Sequence, residues 1–102
     1  MSSSAFGLAE QALEHPSAEH ISETHRIAVE ADSAWNAIRG ERLEVAERLA
    51  DALVFRGELD SDAAERYREL HEAQRAARVR RTLATDELHR VLTALESMAR
   101  RG

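Results

Sequence analysis

The sequence predicts an all-α protein: a long antiparallel two-helix hairpin of coiled-coil type with a short N-terminal helix, dimerising into a four-helix bundle. Three observations predict it. The apolar content leans on Ala and is thin in aromatics, with two Phe, one Tyr and one Trp in 102 residues. Ala favours helix and lets helices approach closely. Val and Ile are scarce, and no stretch alternates apolar and polar residues with the period of a strand. Two long stretches instead repeat apolar residues every three or four positions, the pattern of a helix–helix seam.

Residues 1–16 read as a flexible N-terminus in which "AFGLAEQALE", 5–14, forms a short amphipathic helix with Phe6, Ala9 and Leu13 on one side. Pro16 interrupts it, and Ser17 is a suitable N-cap for a new helix. The hairpin then occupies 17–100. Its first helix runs to about Phe55, with a seam of Ile21, Thr24, Ala28, Ala31, Trp35, Ile38, Arg42, Val45, Leu49 and Ala52. Gly40 falls on the outward side, where it weakens the helix by ~1 kcal/mol without breaking it.

"RGELDSD", 56–62, stops one helix and starts the next: Gly57 suits the C′ position and Asp60 or Ser61 the next N-cap. The second helix extends from about Asp60 to Arg100. Its seam is Ala63, Tyr67, Leu70, Gln74, Ala77, Arg81, Ala84, Leu88, Val91, Leu95 and Met98. A turn centred near Glu58 sets Arg42 opposite Gln74, Trp35 opposite Arg81, and Arg48 near Glu69. Each seam arginine then has a polar or cation–π partner, and on the flank Arg48 has an ionic one.

Apolar side chains remain beside the seams: Ile27, Ala34, Phe55, Ala76, Leu83, Ala46 and Leu53. A lone hairpin leaves them wet, and two hairpins burying them against each other make a four-helix bundle. The short N-terminal segment cannot cover so long a surface. The expected self-association interface is Ile27, Ala34, Trp35, Phe55 and Leu83.

Charge and composition narrow the function. The net charge is −5, which argues against nonspecific nucleic-acid binding. All 14 basic residues are Arg, and the chain has no Lys. Without cysteine, thiolate metal sites, disulfides and Cys nucleophiles are excluded. No apolar run approaches the ~20 residues of a membrane span. The N-terminus lacks the basic and apolar regions of a secretory signal, so a cytoplasmic location is expected.

Three histidines stand five apart in "EHPSAEHISETHR", 14–26. A step of five turns about 500° on a helix, so His20 and His25 diverge, and a helical chelate needs i,i+3 or i,i+4. His15 belongs to the capping turn beside Pro16. The one constellation with metal-ligand chemistry is across the hairpin, where His25, Asp32, Asp86 and His89 flank the seam. Two imidazoles and two carboxylates suit zinc or a similar divalent ion, or a pH response. The commoner arrangement is a solvated flank of imidazole–carboxylate hydrogen bonds. A carboxylate-bridged di-iron bundle is excluded, since no Glu-x-x-His occurs and neither seam holds a carboxylate.

"RAARVRR", 75–81, is the most basic stretch, but Glu65, Glu69 and Glu72 interleave just upstream, and Arg81 turns into the seam. Ion pairing explains it more economically than DNA recognition. Gly-rich phosphate loops, nucleophile elbows and paired carboxylates in apolar settings are all missing. The expected function is a non-enzymatic protein–protein interaction module, acting as a dimer with no cofactor. Adaptor, assembly factor and antitoxin-like inhibitor are the roles that such a module fills.

Overall fold

In a computed structural model, residues 16–101 are described; the short helix expected at 5–14, and His15, lie outside them. The described chain is helical, with two long helices packed as a hairpin. α1 spans Ala18–Asp51, continues into a π-helical turn Ala52–Arg56, and is joined by residues 57–60 to α2, Ser61–Arg101.

The ends form where local chemistry puts them. The Ser17 hydroxyl accepts a hydrogen bond from the His20 amide at 3.1 Å, which caps α1. At α2 the Asp60 carboxylate accepts from the Ala63 amide at 3.0 Å. Asp62 in the first turn and Arg100 and Arg101 in the last complement the helix dipole. Between the helices, Gly57 takes a left-handed conformation (φ 64°), and its N–H reaches back to the Ala52 carbonyl. The Glu58 amide reaches the same carbonyl at 3.3 Å. That five- and six-residue reach is the widened turn of a π-helix, and it closes α1.

Every seam position expected in α1 is buried or half-buried, and so is every one in α2 except Met98 at 36% exposure. The buried residues of α2 lie seven apart at Ala63, Leu70, Ala77, Ala84 and Val91. The interior is slight. Of the eight buried hydrophobic residues among those described five are Ala, and Val91 is the one large side chain there below 2% exposure. Such small side chains bring backbones close but remove little apolar area from water.

The helices divide into two compact units. In the unit holding Ala31–Arg81, Val45, Ala63 and Leu70 form the core, with Ile38, Leu49 and Tyr67 packed on it. In the other, which includes α1 as far as Glu30 and α2 from Thr82, the buried residues among those described are Pro16, Thr24, Ala28, Ala84 and Val91. Thr24 is tolerated there because its hydroxyl donates to the His20 carbonyl one turn back, at 2.8 Å.

The expected pairings occur at two of three places. Arg42 donates to Gln74 Oε1 at 2.5 Å, and the Arg81 guanidinium lies 4.5 Å from the centroid of the Trp35 ring. Arg48 does not reach Glu69. It lies 3.6 Å from Asp60, while Glu69 accepts from Arg66 one turn earlier in α2. Arg66 thus engages Glu69 on its own helix and also holds Glu41 at 2.7 Å.

Candidate functional site

The histidine and carboxylate quartet expected along the hairpin flank is not drawn into a metal centre. Among the described residues, no group of three or more His, Asp or Glu side chains is placed to hold a metal ion. His25, Asp86 and His89 are exposed. Asp32 is engaged elsewhere: one oxygen accepts from Arg81 Nε at 2.8 Å, and the other from Asn36 Nδ2 at 3.2 Å.

The structure gathers a different set of residues within Ala31–Arg81. A cleft of about 320 Å³ opens beside Trp35, with Arg42 from α1 and His71, Arg75, Arg78 and Arg81 from α2 around it. Gln74 completes the lining. On α2 the spacing is that of one helix face: His71, Gln74 or Arg75, Arg78 and Arg81 succeed one another at three or four residues. Arg81, expected as a seam residue apart from the others, turns toward the same space as Arg75 and Arg78.

Each arginine is held differently. Arg42 is fixed by three contacts: its bond to Gln74, a 3.3 Å hydrogen bond from Nε to the Tyr67 hydroxyl, and the Tyr67 ring at 5.4 Å. Arg81 is held between the Trp35 ring and Asp32. Arg39, four residues along α1, also approaches the Trp35 ring, at 5.8 Å. Arg75 has only Glu72 at 3.9 Å, with both side chains more than 70% exposed, a pair that contributes little. Arg78 makes no ion pair with any carboxylate among the described residues. The buried indole N–H of Trp35 likewise has no hydrogen-bond partner there. A buried donor without an acceptor is costly in a folded protein.

The second surface is apolar and lies at the connecting end. Leu53, Val54, Phe55 and Leu59 are 54%, 74%, 81% and 61% exposed. Ala52, the first residue of the π-helical turn, is buried, and the apolar side chains that follow it are left without cover. Of the residues expected at a self-association interface, Ile27, Ala34, Phe55 and Leu83 are exposed. Trp35 is placed differently, half-buried in the hairpin and engaged by Arg81.

Elsewhere the charges pair mostly along single helices, while Arg66 of α2 also reaches Glu41 of α1. Arg26 bridges Glu23 and Glu30, the latter at 2.6 Å. The hydrogen bond from Arg26 holds the Glu23 carboxyl below its ordinary value, and Glu23 and Glu30 together raise Arg26. Arg66 is raised in the same way by Glu41 and Glu69. No helix among the described residues is long and apolar enough to cross a membrane. Comparison with protein-family models, curated proteins and solved structures finds no match to this chain.

Proposed function

We propose that this chain is a non-enzymatic protein–protein interaction module that works as a self-associated helical hairpin, two copies forming a four-helix bundle. One observation carries the reading: Leu53, Val54, Phe55 and Leu59 stand more than half exposed in one short stretch, while the interior of the hairpin is mostly Ala. Large apolar side chains clustered on a surface mark an interaction site. Ile27 at 45% and Leu83 at 63% exposure extend the same argument along the helices. Burying each such side chain contributes about 1.5–3 kcal/mol, which the thin interior does not supply by itself. An adaptor, assembly factor or antitoxin-like inhibitor would use the remaining surface for its second partner.

Sedimentation equilibrium and light scattering test it. The full chain is expected to be a dimer at micromolar concentration. Val54→Ser with Phe55→Ser should weaken association about ten-fold or more, with helix content retained. A chain that remains strictly monomeric at high concentration contradicts the proposal.

A further inference from the structure

We infer that the arginine cleft beside Trp35 is a binding site for a compact, multiply charged phosphate, with a diphosphate group as the chemistry that fits it. The first argument is convergence. Guanidiniums from both helices and an imidazole line one volume of about 320 Å³, within the size range of small-ligand sites. A guanidinium fork matches two oxygens of a phosphate at once, and adjacent phosphates present several such pairs.

The second argument is charge. Arg42 is held by the neutral groups of Gln74 and Tyr67, and Arg78 meets no carboxylate among the described residues. Arg75 has one distant, exposed partner in Glu72. Two positive charges therefore face the cleft without a counter-charge among the described residues. An anion bearing at least two negative charges balances them.

The arginines divide by task. Arg42 and Arg81 are already oriented by Tyr67, Gln74, Trp35 and Asp32, so little freedom is lost when they meet a ligand. Arg78 and Arg75 are the exposed, weakly held pair that closes on the anion. None of the four exposed apolar residues at the connecting end lines the cleft.

Trp35 is the only tryptophan in the chain, so its fluorescence reports the cleft directly. The full chain is titrated with inorganic pyrophosphate and, separately, with ADP, sodium chloride holding ionic strength constant, and calorimetry is run in parallel. A saturable response is expected. Arg78→Ala should weaken it about ten-fold or more, the loss of a charge-assisted hydrogen bond, with helix content unchanged by circular dichroism. Arg100→Ala, in the other unit, should bind as the unaltered chain does. Tighter binding of ADP than of pyrophosphate identifies a nucleotide as the source of the diphosphate; equal or weaker binding identifies the inorganic anion. The inference is overturned by any of three results: no saturable signal by either method, undiminished binding by Arg78→Ala, or a hexaglutamate peptide that binds more tightly than pyrophosphate.

Discussion

The guanidinium of Arg81 lies 4.5 Å from the centroid of the Trp35 ring, one helix against the other. Its Nε simultaneously donates to Asp32 at 2.8 Å. A cation that is desolvated on one side by an indole and neutralised on another by a carboxylate can occupy a seam position otherwise reserved for apolar residues. Both charged side chains remain about half exposed, so the ionic part is modest and the ring contact supplies most of the benefit.

Removing this contact should be measurable. Arg81→Ala is expected to lower stability by ~1 kcal/mol, a fall of roughly 4–8 °C in Tm at fixed protein concentration. Asp32→Ala, which leaves the ring contact in place, should cost less. Urea titrations that find Asp32→Ala as costly as Arg81→Ala would make the ion pair, and not the ring, the main contributor.

Two glycines give predictions of opposite sign. A Cβ added at Gly40 meets nothing within 4 Å in the middle of α1. Gly40→Ala should therefore stabilise by about 0.5–1 kcal/mol through the unfolded chain and helix propensity. A Cβ at Gly57 also has space, but φ is 64° there. Gly57→Ala should destabilise by ~1–2 kcal/mol, because the left-handed conformation crowds a side chain against its own carbonyl. Denaturant midpoints of the two variants check the pair.

The Glu23–Arg26 contact sets a pH dependence at the start of α1. The folded Glu23 carboxyl lies below its ordinary value of 4.5 because it accepts from Arg26. Its contribution is thus fully present above the ordinary value and disappears as pH falls through the lowered one. Carboxyl carbon NMR should find Glu23 titrating below that ordinary value, and Arg26→Ala should return it there. An unchanged Glu23 titration in that variant would assign the shift to something other than Arg26.

Much of the hairpin was legible because each of its signals is local. The three- and four-residue spacing located both seams, and Ser17, Gly57 and Asp60 marked the ends through caps that depend on one or two side chains. The pairings Arg42–Gln74 and Trp35–Arg81 come from a turn near Glu58. Arg48–Glu69 failed because side chains three residues apart on one helix compete with partners on the other: Arg66 holds Glu69. The π-helical turn left no sequence signature, since its carbonyl bonds depend on where packing ends. The arginine cleft does have a partial one. Residues 71, 75 and 78 form a stripe at helical spacing, but only the turn of the Arg81 side chain brings a fourth member to it. The metal-ligand candidates part company at Asp32, whose carboxylate could not be assigned to Arg81 without the rotamer.

The brevity of residues 57–60 has a thermodynamic consequence. Two separate peptides sharing only an Ala-lined seam would have to meet from solution, and so weak an interface would leave them apart. Held by so short a connector, each helix sees the other at an effective concentration in the millimolar range. Against free peptides at micromolar concentration that is roughly a thousandfold, equivalent to about 4 kcal/mol. Cutting the chain after Arg56 would forfeit it. The connector is in this sense a concentrating device. It lets an interior of small side chains hold two long helices together while the larger apolar side chains stay outside, available to a partner.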